Sequence, residues 1–255
     1  MLELKNLNIK RKNLCIAKAI HLKLKAGKVH CLLGANGAGK SSLIQAIFGL
    51  LPYEGEIFFN KETLNQKHQK IIGFMPQDNH LDANLSALEV VLLGLIDHLG
   101  MYLSDDQIKQ AARLMEELGI LHLAQRDILS LSGGQRQMVM FAQTLIKKPK
   151  ILLLDEPVSA LDLHHQCVLL EYVRQYTQQR GLITLMVLHD LSLSAQFSDV
   201  LIVLDQGSIQ VEGSPKEVLQ KERIEALYKI KTEIFYHTNG IPVITPIGAS
   251  SKNKE

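Results

Sequence analysis

The sequence predicts an α/β domain carrying a helical insertion, on three observations. Short apolar runs alternate with helical stretches along most of the 255 residues. The run KVHCLLG ends in a glycine-rich segment that opens a helix, and a later run, KILLLDEP, ends in two carboxylates. Between these two features, from roughly residue 80 to 147, the pattern is predominantly helical.

The elements follow in order. LELKNLNIK and IHLKLKAG alternate apolar and polar residues, the pattern of half-exposed antiparallel strands. KVHCLLG reads as a mostly apolar strand, ANGAGKSSLIQAIFGLL begins a helix, and GEIFFN and IIGFMPQ are two further strands. SALEVVLLGLIDHL and SDDQIKQAARLMEELG are helical, the second with Ser104 and Gln107 as a capping box and Gly119 as terminator. Ser132 and Gln135 of LSGGQ make another capping box, opening the helix that continues as RQMVMFAQTLIKK.

The unbroken Ile-Leu-Leu-Leu of KILLLDEP is typical of a parallel strand buried on both faces. LHHQCVLLEYVRQYTQQRG is a helix, LITLMVLHD a second buried strand and DVLIVLDQGSIQVEG a hairpin. SPKEVLQKERIEALY starts with an N-cap serine, a proline at the first helical position and Glu217 to complete a capping box. TEIFYHTNGIPVITP is a hairpin around Asn239-Gly240, and the tail GASSKNKE is expected to be disordered.

Composition narrows the function classes. Hydrophobic residues at 46% and charged residues at 21% are enough for an ordinary packed core. A net charge of +2 is too mild to indicate nucleic acid or an anionic membrane surface. The three cysteines show no metal-binding spacing, and Cys31, in an apolar strand, is expected to be a buried, reduced thiol. MLELKNLNIK lacks the apolar stretch of a targeting signal, and the run VVLLGLI is far short of the roughly 20 residues that span a bilayer. Any work at a membrane is therefore expected to require docking on another chain.

Five segments carry chemistry. Gly34, Ala35, Asn36, Gly37, Ala38, Gly39, Lys40 and Ser41 fit G-x-x-x-x-G-K-[ST], between a buried strand and a helix as that motif requires, with Ser42 following. Such a loop turns successive backbone N–H groups toward phosphate oxygens, its lysine reaches the β- and γ-phosphates, and its serine hydroxyl binds Mg²⁺. Asp155 and Glu156 end a buried strand, where carboxylates are costly unless they meet a cation or a water in need of a base. Asp155 is expected to face Mg²⁺ and Glu156 to polarise an attacking water. His189 and Gln77 also follow buried strands, yet each alone is compatible with a structural role. LSGGQ is a capped helix start whose inner glycines, Gly133 and Gly134, weaken the first turn; the use of such glycines is close backbone approach.

Together these pieces resemble the ATP-binding subunit of ABC transporters. The phosphate loop, MPQ (Gln77), LSGGQ, ILLLDEP, SALD (Ser159 to Asp162) and the histidine of LHD (His189) occur in that family's order, over roughly residues 1–225. The resemblance implies a P-loop ABC ATPase core with an antiparallel β subdomain and a helical subdomain inserted before the signature motif LSGGQ. It implies an ATPase domain over 1–230, with the helical subdomain at roughly 80–147, a C-terminal hairpin over 231–246 and a disordered tail over 247–255. In this family two ATPase domains pack head to tail, each ATP lying between the P-loop of one and the signature of the other. Ser132, Gly133, Gly134 and Gln135 would then contact the γ-phosphate across the dimer, with Asp162 at the seam. Glu156 and His189 would be catalytic; Ser41, Gln77 and Asp155 would serve Mg²⁺, and Gln77 would also link to the membrane subunit.

The resemblance implies ATP and Mg²⁺ as cofactors. It implies as partners a second copy, integral membrane permease subunits and a periplasmic or extracellular substrate-binding protein, with no nucleic acid. A peripheral position on the cytoplasmic face of the inner or cell membrane follows, with residues of about 80–130 near Gln77 offering an apolar groove to a permease helix. SALDLHHQ, HDLSLSAQFSD, GSPKEVL and the terminal hairpin look most like the ATPases of importers for iron–siderophore, haem or vitamin B12 complexes. Zinc or manganese importer ATPases are close in pattern, and a soluble non-transport ABC ATPase and an exporter are the competing readings. The family's aromatic platform for adenine is missing from NIKRKNLCIA, leaving the stems of Lys10, Arg11 or Lys12 for that role. Ser42 stands where threonine is commoner, and Val158 where the family often has Thr or Ser.

Overall fold

The computed structural model describes residues 1–11, 14–77, 84–96 and 104–250. A six-stranded sheet forms its centre, built from β3 (Lys28–Leu33), β6 (Ile72–Met75), β7 (Ile151–Asp155), β8 (Ile183–Val187), β9 (Val200–Asp205) and β10 (Ser208–Gly213). The strand order is β10-β9-β3-β8-β7-β6, parallel throughout except for the antiparallel β10. Every residue of β7 and β8 is buried, as their unbroken apolar runs require.

Because strand side chains alternate, each central strand feeds two cores. Cys31, Leu33, Leu152, Leu154 and Met186 join the core on the face of the inserted helices. Leu32, Leu153, Leu185 and Val187 join the core on the opposite face, with α1 (Lys40–Phe48) and an antiparallel sheet. That second sheet has the order β2-β1-β4-β5, from β1 (Leu2–Arg11), β2 (Leu14–Leu24), β4 (Tyr53–Phe59) and β5 (Glu62–Thr63).

The helical stretch contains α2 (Ala87–Leu93), α3 (Asp105–Glu117) and α4 (Gly133–Ile146). Each begins with a complete capping box: Ser86 with Glu89, Ser104 with Gln107 and Ser132 with Gln135. Reciprocal caps of this kind satisfy otherwise orphaned N–H groups and fix the three starts locally. α4 runs through the middle of the core, and its Phe141 is fully buried, edge-on to Tyr172 at 6.1 Å. Tyr172 lies on α5 (Leu163–Arg180). Among the described residues, no helix is long and apolar enough to cross a membrane.

Three details differ from expectation. SPKEVLQKERIEALY forms two helices, α7 (Pro215–Val218) and α8 (Lys221–Tyr228), because Arg223 donates to the carbonyls of Glu217 at 3.0 Å and Val218 at 2.6 Å and so ends the first. The terminal hairpin, β11 (Ile230–Tyr236) with β12 (Pro242–Ala249), turns through three residues rather than two. Gly240 N–H bonds the His237 carbonyl and His237 N–H bonds that of Ile241, a turn closed by a bulge. The tail expected to be disordered from 247 is in strand as far as Ala249: Gly248 pairs with Lys231 and Ala249 with Ile230, a partner that composition does not reveal. Residues 251–255, and residues 78–83 and 97–103 of the helical stretch, lie outside the described residues.

Phe141→Ala should cost about 3–5 kcal/mol, the range for emptying a buried aromatic site. Urea denaturation measures it, and an unchanged midpoint would contradict the placement of α4 through the core.

Candidate active site

Parallel strands end at one edge, so whatever follows them converges. The segment 34–41 follows β3, Gln77 lies two residues beyond β6, Glu156 directly follows β7, and His189 lies two residues beyond β8. They meet in a cleft of about 1070 Å³ lined by Asn36, Gly37, Gly39, Lys40, Ser41 and Ser42 on one side. Gln77, Glu156 and His189 line the other. Gly34, Ala35, Ala38 and Asp155 are not part of the lining. Gly34 must be glycine, since a Cβ there would lie 2.1 Å from the Leu204 carbonyl oxygen of β9.

Charge is buried at this edge and locally compensated. Lys40, only 6% exposed, donates from Nζ to the Gly34 carbonyl at 2.8 Å and the Ala35 carbonyl at 3.1 Å. Burial lowers its pKa, while Glu156 and Asp155 pull the other way. Asp155, 1% exposed, accepts from Ser41 Oγ at 3.1 Å, and burial raises its pKa above the usual carboxylate value. Ser41 and Asp155 thus present neighbouring hard oxygens beside a phosphate-binding loop, a donor set that fits Mg²⁺.

Glu156 is held from both sides. Gln77 Nε2 donates to its Oε2 at 2.9 Å, and His189 Nε2 meets its Oε1. Its backbone is left-handed at φ 53°, a conformation worth about 1–3 kcal/mol of strain in a residue without special tolerance for it. The two strand-end residues that were neutral by themselves, Gln77 and His189, therefore share one carboxylate.

A residue that sequence reasoning missed completes this arrangement. Gln137 on α4, 5% exposed, donates from Nε2 to the Glu156 carbonyl at 3.2 Å and to Ser159 Oγ at 3.4 Å. Its Oε1 accepts from Ala160 N–H at 3.0 Å. The available signal was an amide on the same helix face as Phe141, a position where burial demands a partner.

The LSGGQ helix start opens elsewhere. Gln135 N–H bonds Ser132 Oγ at 3.3 Å and Ser132 N–H bonds Gln135 Oε1 at 3.2 Å. With Gly133 and Gly134 these residues line a second cavity, of about 500 Å³, that includes Asp162 and His165. The two cavities have no lining residue in common. Gly134 answers part of the question its residue type raised: a Cβ there would lie 3.0 Å from the Ala160 carbonyl oxygen, so one close approach is within the chain. Asp162 caps α5, accepting from His165 N–H at 2.9 Å and facing the same residue's Nδ1 at 2.8 Å.

Beside the phosphate loop, Arg11, Leu14 and Ile16 line the first cavity, with Leu14 70% exposed. Lys10 is tied instead to Glu54 at 2.8 Å, and Lys12 lies outside the described residues. An aliphatic and guanidinium surface thus occupies the place where no aromatic residue exists.

Asp155→Asn removes a charge that burial penalises and keeps an oxygen to accept from Ser41. It should raise the melting temperature of the nucleotide-free chain, by roughly 2–4 °C for each kcal/mol relieved. A lower melting temperature would show that attraction to Lys40 outweighs the burial of Asp155.

The profile of the ABC transporter family matches residues 17–159. The chain is 35% identical to the hemin import ATP-binding protein HmuV of Plesiomonas shigelloides, over 92% of this chain and 97% of that one. Its fold matches a solved inward-facing structure assigned to the metal-chelate type of ABC transporter, with a TM-score of 0.83, 26% identity, and coverage of 96% of this chain and 97% of that chain. It also matches a dimeric bacterial ABC transporter cassette, with a TM-score of 0.77, 29% identity, and coverage of 84% and 99%. The converging strand ends and these likenesses, which extend over nearly the whole chain, lead to one assignment: the chain belongs to the ABC transporter family, as an ATP-hydrolysing subunit.

Proposed function

We propose that two copies of this chain pack head to tail, each ATP lying between Lys40 and Ser41 of one copy and Ser132 to Gln135 of the other. One observation carries this reading: among the described residues, the phosphate-loop cavity and the LSGGQ cavity share no lining residue, and of these two the first alone contains a lysine. A helix N-terminus capped by Ser132 offers positive potential, and a phosphate already paired with Lys40 of the opposite copy is a suitable occupant. The dimeric cassette among the structural relatives supports the same assembly.

Within such a dimer, Lys40 exchanges the Gly34 and Ala35 carbonyls for β- and γ-phosphate oxygens. Mg²⁺, held by Ser41 and Asp155, supplies neutralisation of phosphate charge. Glu156, fixed by Gln77 and His189, orients the attacking water and accepts its proton. The remaining P-loop residues, Gly34 to Gly39 with Ser42, shape the backbone cradle, and Gly133 and Gly134 leave room for a phosphate against bare N–H groups.

The cargo we assign is an iron complex, with haem-type chelates foremost, imported through integral membrane subunits with a periplasmic or extracellular binding protein. The support is the naming of the sequence relatives as hemin import proteins and the metal-chelate type of the structural one. The chain would sit peripherally on the cytoplasmic face of the membrane. Affinity purification of the native complex from detergent, followed by identification of the permease and an uptake assay with hemin, tests this. A complex without an integral membrane protein would remove transport from the reading; uptake of zinc or manganese instead would change the cargo alone.

Glu156→Gln should bind ATP normally and stall hydrolysis, so that size-exclusion chromatography with ATP yields a persistent dimer; turnover at the wild-type rate would remove Glu156 from catalysis. Ser132→Arg should leave ATP binding to the monomer intact and reduce turnover by at least a hundredfold, roughly the effect of removing one transition-state donor. Retained turnover would return LSGGQ to being a helix cap.

A further inference from the structure

We propose that the C-terminal segment positions the nucleotide site, with Tyr228 anchoring the start of the phosphate loop; this rests on the reading of residues 34–41 as the ATP cradle. The backbone N–H of Gly34 donates to Tyr228 Oη at 3.2 Å, across 194 residues of sequence. The carbonyl of the same residue accepts from Lys40 Nζ at 2.8 Å. The two peptide groups that flank the Gly34 Cα are thus each held by a side chain, one by the phenol at the end of α8 and the other by the Lys40 ammonium. The Leu204 carbonyl lies so near that Gly34 has no room for a Cβ, and Tyr228 is the partner that fixes its N–H.

The support behind Tyr228 is rigid. Its ring packs against the main core, and burial pushes the phenol up to about 12, so the hydroxyl stays protonated throughout the physiological range. α8 is fixed at one end by Arg223 on the Glu217 and Val218 carbonyls and near the other by Glu225, which accepts from Thr232 N–H of β11 at 2.9 Å. The hairpin in turn grips α6 (Leu191–Phe197): Ile244 N–H donates to Ser192 Oγ at 3.0 Å, and Ser192 Oγ donates to the Ile244 carbonyl at 3.4 Å. α6 begins directly after His189 and Asp190. One C-terminal unit thus touches both flanks of the cleft, at Gly34 and beside His189.

Tyr228 is a positioning residue, acting through the backbone of Gly34 at the start of the loop. Tyr228→Phe keeps the packed ring and deletes only the hydroxyl, leaving a half-buried N–H without its partner. ATP affinity of the purified full-length chain, by calorimetric titration, should fall by about tenfold, because binding must then order a loop start that Tyr228 otherwise holds in place. Turnover at saturating ATP should stay within about twofold, a KM effect without a kcat effect. Thr232→Val is the control: it removes the buried hydroxyl that bonds the Thr245 carbonyl at 3.0 Å in the same hairpin, and touches no part of the loop. It should lower the melting temperature and leave ATP affinity unchanged. Wild-type affinity in Tyr228→Phe, or an equal loss in Thr232→Val, would overturn the proposal. A wild-type chain that binds no ATP would overturn the parent reading of residues 34–41, and this inference with it.

Discussion

Two carboxylates stand at the tip of a strand buried on both faces, and much of this molecule is organised around keeping them there. Asp155 and Glu156 emerge where β7 leaves the sheet, with Asp155 almost wholly out of water. An uncompensated charge in that position is expensive enough to neutralise itself or unfold its surroundings. Each neighbouring loop supplies part of the remedy: Ser41 donates to Asp155, Lys40 brings a cation, and Gln77 and His189 take the two oxygens of Glu156. Gln137 secures the backbone carbonyl of Glu156. If Glu156 is the proposed base, electrostatic demand and catalytic preorganisation are the same arrangement.

The parallel sheet makes such compensation possible. Four strands running in one direction deliver four unrelated loops to one edge, so groups separated by more than a hundred residues act on the same carboxylate pair. The inserted helices have the opposite effect. They carry Ser132 to Gln135 to a separate opening that Lys40 does not line. On the proposed head-to-tail reading, a site divided in this way makes assembly the condition for turnover, and the absence of a lysine at the second helix start follows from it.

Departures from the family's pattern are local. Where an aromatic platform for the base is absent, Arg11, Leu14 and Ile16 offer an aliphatic and guanidinium surface at the same cleft. Beyond the common core, the α8–hairpin unit is fastened to Gly34 and to α6 by specific hydrogen bonds, more than a passive extension requires.

The sequence by itself determined whatever is set within a few residues: the capping boxes of Ser104, Ser132 and Ser214, the phosphate-loop spacing, the buried runs of β7 and β8, and the family order of motifs. These rest on local backbone chemistry and on side-chain periodicity, both of which are written along the chain. Tertiary structure alone decided which distant groups meet. That Gln77 and His189 share Glu156, that Gln137 bridges α4 to the segment after β7, and that Tyr228 reaches Gly34 were not legible, because a lone Gln, His or Tyr is compatible with many surroundings. The end of the ordered tail was missed for the same reason, since Gly248 and Ala249 are strand only by virtue of the partner beside them. Pairing across a sheet and convergence at its edge depend on three-dimensional adjacency, and no local pattern encodes that.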